Sequence, residues 1–218
     1  MKGKLIMTLG KEELFDFTHT IAGEMLMRYE KSYEAIAKIE EICFKISQVL
    51  DSSYTEIQKN VFVAKDAQIE SGTLIYGPAI IGSGTVIRHG AYIRGNVIIG
   101  KNAVIGNSTE IKNSVIFDDV QLPHYNYVGD SIIGYKAHLG AGVIISNLRL
   151  DRKEVTVRDG NEKIYTGLRK MGALIGDSVE IGCNCVICPG SIIERGCLIY
   201  PLSQVSGILR SQKREERN

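Results

Sequence analysis

The chain has 218 residues, of which 44% are hydrophobic and 23% charged, a composition that excludes a disordered or collagen-like protein. Its 26 Lys and Arg residues nearly balance 25 Asp and Glu residues, so neither nucleic acid nor an anionic membrane is expected as a partner. The N-terminal apolar patch Leu5–Met7 is too short for a signal peptide, and no window has the apolar length of a membrane span. We therefore expect a cytoplasmic protein whose five cysteines stay reduced.

Residues 1–56 form a first segment in which apolar residues recur at three- and four-residue spacings. This spacing predicts two amphipathic helices joined near Tyr29–Tyr33, and we assign no chemistry to them. The apolar positions are Leu14, Phe15, Ile21, Met25, Leu26, Ile36, Ile39, Cys43, Ile46 and Leu50.

Residues 57–207 contain a repeat with a period of six. A branched aliphatic residue returns at every sixth position, with two steps of five and one interruption, and a small residue usually stands two positions before it. Such a period is not helical; it fits short strands separated by regular corners. The aliphatic positions are Ile69, Ile75, Ile81, Ile87, Ile93, Ile99, Ile105, Ile111, Ile116, Leu122, Val128, Ile133, Leu139, Ile145, Ile175, Ile181, Ile187, Ile193, Ile199 and Val205.

This repeat resembles the hexapeptide-repeat family of left-handed parallel β-helices. The resemblance implies an all-β prism in which three hexads make one triangular coil of about 18 residues and coils stack ~4.8 Å apart. An open end of such a prism exposes unpaired backbone groups. We therefore expect the N-terminal helices to cover an open end or to contact another subunit.

Two stretches depart from the repeat, and loops that project from a rigid repeat are where binding groups usually lie. The first is Leu122–Asp130, which brings together a histidine, an asparagine and two tyrosines. The second is a non-repeat loop over 146–172. After the prism, residues 208–218 form a charged tail that we expect to be mobile. The loop cations are Arg149, Arg152, Lys153, Arg158, Lys163, Arg169 and Lys170.

The repeat register predicts which polar side chains lie together, because inward residues three hexads apart stack on successive coils. Arg94, Lys112, Tyr127 and Asn147 stand beside anchors of one column, so we expect them along one edge of the prism. His124 belongs to the adjacent column and meets this group around a corner or across a subunit boundary. Two cations near a histidine and a tyrosine suggest a site for an anionic small molecule, and a solvated charged face is the alternative.

Four motifs within Tyr92–Lys153 occur at spacings that match a known family without gaps. They are Tyr-Ile-Arg-Gly at 92–95, Asn-Ser-Thr-Glu-Ile-Lys at 107–112, His-x-x-Tyr-x-Gly-Asp at 124–130, and Gly-Ala-Gly at 140–142 followed by Asn147. The stretch resembles the acetyltransferase domain of the N-acetylglucosamine-1-phosphate uridylyltransferase family. Residues 147–153, 166–170 and 175–177 are similar to the archaeal-type two-domain sugar-1-phosphate nucleotidylyltransferases.

The resemblance implies acetyl transfer from acetyl-CoA to the amine of an amino-sugar phosphate such as glucosamine-1-phosphate. It implies that His124 is the general base, that no metal is required, and that the protein is a homotrimer with sites between subunits. The residues that it assigns to the acceptor are Arg94, Lys112, Tyr127, Asn147 and His138. For acetyl-CoA we expect contacts from Gly140 and Ala141, and from the cations Lys153, Arg169, Lys170, Arg210 and Arg214 to its phosphates.

The sequence also departs from the family. The 56 residues before the prism lack a Gly-rich nucleotide loop, so we expect no uridylyl transfer. His138 and Leu148 stand where the bacterial enzymes carry asparagine and tyrosine, which leaves the acceptor amine open.

Three alternatives remain. His89, His124 and His138 are possible zinc ligands as in hexapeptide-repeat carbonic anhydrases, but they come from different coils without the close spacing of that family. The cysteines at 183, 185 and 188 suggest a metal cluster, whereas their place in continuous repeat favours a structural role. The third alternative is a non-catalytic module that binds a sugar nucleotide or CoA.

Overall fold

The computed structural model describes residues 10–211, and most of them form a left-handed parallel β-helix with three faces. The first face consists of β1 Tyr54–Gln58, β2 Val61–Ala64, β5 Ala79–Ile81, β8 Val97–Ile99, β11 Ser114–Ile116, β14 Ile132–Ile133, β19 Ala173–Ile175, β22 Ser191–Ile193 and β25 Ile208–Leu209. The second consists of β3 Gln68–Ile69, β6 Val86–Ile87, β9 Val104–Asn107, β12 Gln121–His124, β15 His138–Leu139, β20 Glu180–Ile181 and β23 Leu198–Ile199. The third consists of β4 Leu74–Ile75, β7 Tyr92–Ile93, β10 Glu110–Lys112, β13 Tyr127–Gly129, β16 Ile144–Ile145, β21 Val186–Ile187 and β24 Gln204–Val205.

The coils stack in the register that the six-residue period predicts. Ile81 pairs with Ile99, and Ile99 with Ile116, so a step of five shortens one corner without shifting the inward column. Of the twenty repeat positions only Ile69 is exposed, because β3 lies at the edge of its sheet. Burial of these branched side chains inside the prism supplies the core that stabilises it.

Two corners flank the third face. The histidine corner lies between the second and third faces, where Asn107 pairs with His124 and its amide donates to the carbonyl of His89. The Asp130 corner lies between the third and first faces, where the backbone N–H of Asp130 donates to the carbonyl of Lys112. Each strand of the third face therefore runs from the histidine corner to the Asp130 corner.

The N-terminal segment lies along the first face, so the expectation that it covers an open end is wrong. Its helix α3, Ile39–Ser47, packs on β5 and β8, and the thiol of Cys43 donates to the carbonyl of Val97 at 3.9 Å. The predicted first helix is broken into α1 Lys11–Leu14, a 3-10 turn Phe17–His19 and α2 Gly23–Leu26, and a 3-10 helix Ser32–Lys38 leads into α3. The outward side chains buried beneath this layer are Ile80, Ile98, Val115, Ile132, Leu174 and Ile192.

Polar contacts fix this segment to the corner between the first and second faces. The carboxylate of Asp177, 4% exposed, accepts from the backbone N–H groups of Asp16 and Tyr135 and from Arg195. The ring of His19 stacks on Tyr135 with centroids 3.5 Å apart. The strand β1 pairs antiparallel with β2, so the predicted boundary at residue 57 falls inside a strand.

The loop over 146–172 contains a β-hairpin, β17 Thr156–Asp159 and β18 Glu162–Tyr165, which contacts β22 and β25. Val155 and Val157 are fully buried. Arg210 donates two hydrogen bonds to the Asp159 carboxylate, at 2.7 and 2.8 Å. Residues 208–209 of the predicted tail form β25, and 212–218 lie outside the described residues. Within residues 10–211, no helix has the length and apolarity needed to span a membrane.

We predict that alkylation of the native protein separates the cysteines by their burial. Burial raises the pKa of the Cys43 thiol to about 12, whereas Cys183 is exposed. Because the thiolate is the reactive form, iodoacetamide at pH 8 should modify Cys183 first and leave Cys43 unmodified. Peptide mass spectrometry measures both; equal labelling of Cys43 would contradict the packing of α3 on the first face. Denatured protein, in which both should react, is the control.

Candidate functional site

The third face carries the two cations that the register predicts to be neighbours. β7 pairs with β10, so Arg94 and Lys112 follow their anchors on successive coils. The Arg94 guanidinium donates to Glu110 at 2.7 Å and lies 5.8 Å from the centre of the Tyr92 ring. Its hydrogen bond with Glu110 raises the pKa of Arg94, so this group stays charged.

Asp130 organises the far end of this face. Its carboxylate is nearly buried and accepts from the Lys112 ammonium at 3.2 Å and from the Asn113 amide at 2.8 Å. The Asn147 amide donates to the same carboxylate, so Lys112 and Asn147 share one acceptor. A buried carboxylate with three donors holds each donor in one place.

Tyr127 begins β13 on the side of the histidine corner, and its hydroxyl lies beside Gly129 at the other end of the strand. Burial raises the pKa of its phenol, and the charges of Asp130 and Glu110 raise it further. The phenol therefore stays protonated at neutral pH and can donate to a ligand. A Cβ at Gly129 would stand 2.6 Å from the Tyr127 hydroxyl, so glycine leaves the room that this side chain occupies. The structure thus brings Arg94, Lys112, Tyr127 and Asn147 together on one face.

His124 lies at the end of β12 on the histidine corner, separate from that cluster. Its side chain is exposed, and its ring lies 6.3 Å from that of Tyr125. Within residues 10–211 the imidazole takes part in no hydrogen bond or ion pair. Its backbone is fixed instead, because its N–H donates to Asn126 and its carbonyl accepts from Gly142.

The residues assigned to acetyl-CoA fall into two places. Gly140 and Ala141 lie one coil from His124, and the carbonyl of Gly140 accepts from the buried Asn126 amide at 2.7 Å. Arg169 and Lys170 line a cavity at the Asp130 corner. The two places are separated by the length of a strand, about 10 Å for three residues.

The remaining candidates have other surroundings. Lys153 is exposed, and its backbone N–H donates to Asp151. His138 lies on the second face with Nδ1 2.8 Å from the Glu180 carboxylate. Arg210 is held by Asp159, and Arg214 lies outside the described residues. Among residues 10–211 no group of three His, Cys, Asp or Glu side chains is arranged to hold a metal ion.

Sequence reasoning missed the carboxylates that partner the two cations. Glu110 stands two residues before Lys112 and pairs in register with Tyr127 and Tyr92, so the same column rule could have placed it beside Arg94. Asp130 was recognised only as part of a motif. Its position directly after Gly129, which pairs with Lys112 on the neighbouring coil, was a signal for the ion pair.

Parts of this chain are similar to parts of known proteins. The family described as GMPPB C-terminal domain matches residues 75–162. A bifunctional sugar-1-phosphate nucleotidylyltransferase/acetyltransferase of Sulfurisphaera tokodaii is 44% identical over 146 residues, which are 67% of this chain and 36% of that protein. The bifunctional protein GlmU of Methanococcus maripaludis is 41% identical over 92 residues, 39% of this chain and 22% of that protein. The chain therefore spans a minor part of these relatives.

Similarity to solved structures also covers part of the chain. The UDP-N-acetylglucosamine O-acyltransferase LpxA of Moraxella catarrhalis aligns with a TM-score of 0.49 and 17% identity, over 71% of this chain and 67% of that one.

Proposed function

We infer the activity of this chain from the hexapeptide-repeat sugar-phosphate acetyltransferases that its prism resembles. We propose that it transfers an acetyl group from acetyl-CoA to the amine of an amino-sugar phosphate such as glucosamine-1-phosphate. The observation that carries this proposal is the cluster of Arg94, Lys112, Tyr127 and Asn147 on one face, beside a corner that presents His124. The similarity to sugar-1-phosphate acetyltransferases supports the same reaction.

Arg94 and Lys112 bind the phosphate in this proposal. Each cation already forms an ion pair, Arg94 with Glu110 and Lys112 with Asp130. The phosphate therefore binds to cations that keep their carboxylate partners. A guanidinium has further N–H donors and an ammonium has two more, so both cations can keep their carboxylates. Tyr127 and Asn147 then contact the sugar ring, and the carboxylates keep the cations from turning away.

His124 acts as the general base. The amine nitrogen attacks the thioester carbon, and the imidazole accepts the proton that the nitrogen loses. When the tetrahedral intermediate collapses, the C–S bond breaks and the imidazolium returns the proton to the departing thiolate. Gly140 and Ala141 support the placement of the thioester, because they lie one coil from His124.

A homotrimer with sites between subunits fits the position of His124. The imidazole faces solvent at the histidine corner, where Tyr125 is 56% exposed, and Ile144 on the adjoining face is 39% exposed. A second copy against this corner would bury these side chains and bring its own groups to the imidazole. A monomeric mass by light scattering would contradict this assembly.

The activity is tested by incubating the protein with acetyl-CoA and a panel of amino-sugar phosphates. We expect release of free CoA thiol together with a mass increase of the acceptor by one acetyl group. Acetyl-CoA with the non-aminated sugar phosphate is the control, because it has no amine to acetylate. The proposal would be wrong if no amino-sugar phosphate in the panel gained the mass of an acetyl group.

A non-catalytic sugar-phosphate-binding module is the second candidate. It is favoured by one observation: within residues 10–211 no side chain orients the His124 imidazole, whereas general bases are usually oriented by a third group. This alternative would be established if protein with the mass of a trimer binds an amino-sugar phosphate but does not acetylate it.

We predict that Arg94→Ala raises the KM for the amino-sugar phosphate at least about tenfold, since it removes a charge-assisted contact to phosphate. The KM for acetyl-CoA should stay the same, and steady-state kinetics with each substrate varied measures both. Arg88→Ala, on the same prism at the histidine corner, is the matched control. An unchanged acceptor KM in Arg94→Ala would refute the phosphate role.

A further inference from the structure

A cavity of about 540 Å³ opens at the Asp130 corner, beside the cluster described above, with which it shares Asp130. Three parts of the chain that are distant in sequence enclose it: the 3-10 helix Ser32–Lys38, the corner itself, and the loop over 146–172. Pockets of ~300–1,000 Å³ hold ligands of cofactor size, so this cavity has room for more than a sugar phosphate. Its lining includes Ile36, Asn113, Asp130, Arg152, Arg169 and Lys170.

The cations of this cavity are distinguished from the others in the loop by lining one concave surface. Arg149 forms a 2.6 Å ion pair with Asp151, whereas Lys153, Arg158 and Lys163 form no ion pair among the described residues but lie outside the cavity. In the part of the chain that the structure describes, Arg152, Arg169 and Lys170 form no ion pair. Three unpaired cations around one concave surface attract a multiply charged anion.

The walls of the cavity are held in place by the site cluster. The Asn113 amide donates both to Asp130 and, at 3.2 Å, to the carbonyl of Ile36, which fixes the N-terminal segment against the corner. Asp130 also accepts from Lys112, so the Lys112 ammonium lies directly behind the cavity wall. The cavity and the Lys112 ammonium are therefore neighbours that share the Asp130 carboxylate.

We propose that this cavity binds a nucleoside diphosphate group. Arg152, Arg169 and Lys170 contact its phosphates, because guanidinium and ammonium groups are the side chains that bind phosphate oxygens most strongly. Apolar side chains that line the cavity, Leu148 and Leu168, provide a surface for the nucleoside. This gives Arg169 and Lys170 a ligand other than the acetyl-CoA that the family resemblance implies.

Coenzyme A also carries a nucleoside diphosphate, so displacement of bound UDP or GDP by free CoA would assign the cavity to the acyl donor and overturn the proposal of a separate ligand. Two other sources could supply this group. One is the acceptor itself, a nucleotide-linked amino sugar whose sugar end lies on the third face; this source rests on the proposed function. The other is a free nucleotide that occupies the cavity as an effector, which needs no acetyl transfer. Both sources use the same contacts, so binding tests the site and turnover distinguishes the sources.

The test is isothermal titration calorimetry of UDP and of GDP into the whole protein without acetyl-CoA. At least one should bind, and the double variant Arg169→Ala/Lys170→Ala should weaken its affinity about tenfold or more, because hydrogen bonds to charged groups are lost. The matched control is Arg158→Ala/Lys163→Ala, which removes the same charge from exposed positions of the hairpin in the same loop. A circular dichroism melt of each variant checks its folding.

Each outcome decides the proposal. Loss of affinity in the first variant with little change in the second supports the site. Equal weakening in both variants would show a bulk charge effect and overturn it, as would the absence of binding by either nucleotide to the unaltered protein. If a nucleotide-linked amino sugar gains an acetyl group, the acceptor is the source; if a free nucleotide binds while only sugar monophosphates are acetylated, the effector is the source. Because binding is measured without acetyl-CoA or His124, loss of the acetyl-transfer proposal leaves this result unaffected.

Discussion

Replacement of His124 by alanine is expected to lower kcat/KM for acetyl transfer by about 10²–10⁴-fold, the usual contribution of a general base. The substitution should not affect folding, because the side chain is exposed and makes no hydrogen bond within residues 10–211. The measurement is thiol release from acetyl-CoA at saturating acceptor, with the melting temperature as the check on folding. Unchanged turnover would remove His124 from the mechanism.

His89 offers a matched control for this experiment. It lies on the same corner two coils from His124, and its Nδ1 is 2.7 Å from the carbonyl of Ser71. His89→Ala therefore removes an imidazole from the same environment without touching the proposed site. A similar loss in both variants would show that the corner responds to any histidine substitution and that neither residue is a specific base.

Asp130→Ala should have the largest effect on stability among the site variants. It leaves the Lys112 ammonium and the amides of Asn113 and Asn147 without their shared acceptor at a nearly buried position. Breaking such a pair from one side costs about 3 kcal/mol of unfolding free energy. Urea denaturation followed by circular dichroism measures the loss, and the acceptor KM should rise as well because Lys112 is no longer held.

Asp159→Ala provides the comparison, since it also removes a carboxylate that carries two hydrogen bonds, here to Arg210. The pair is more exposed, so its loss should cost about 1 kcal/mol or less. If Asp130→Ala were no more destabilising than Asp159→Ala, the carboxylate would not organise the site. Asp130→Asn, which keeps one oxygen acceptor, should fall between the two.

The prism was predictable because one rule, an inward aliphatic residue every sixth position, is repeated along most of the chain. The place of the N-terminal segment was not predicted, although a signal existed. On every third hexad the outward residue before the anchor is aliphatic, as at Ile80, Ile98 and Ile132, and each is buried. Over these hexads the outward column of this face is aliphatic without interruption, whereas the columns of the other two faces also contain polar residues such as Gln121 and Glu110. An uninterrupted apolar column favours a covering layer, here the helices, over one face rather than over an end.

The site was partly predictable for the same geometrical reason. Stacked coils place Arg94 and Lys112 together whatever the rest of the chain does, so the register alone indicated the pair. The cavity could not be predicted in this way. Ile36 and Arg169 belong to segments outside the repeat, and only the folded chain brings them to the Asp130 corner.

The helical layer over the first face restricts how copies of this prism can meet side by side. Its outward side chains are already covered within the same chain, so lateral association has only the other two walls to use. Those walls share a single vertex, which carries His124. A neighbour that docks along either wall therefore approaches the proposed base. If it narrows the space around that vertex, self-assembly would control how easily the acyl donor reaches His124.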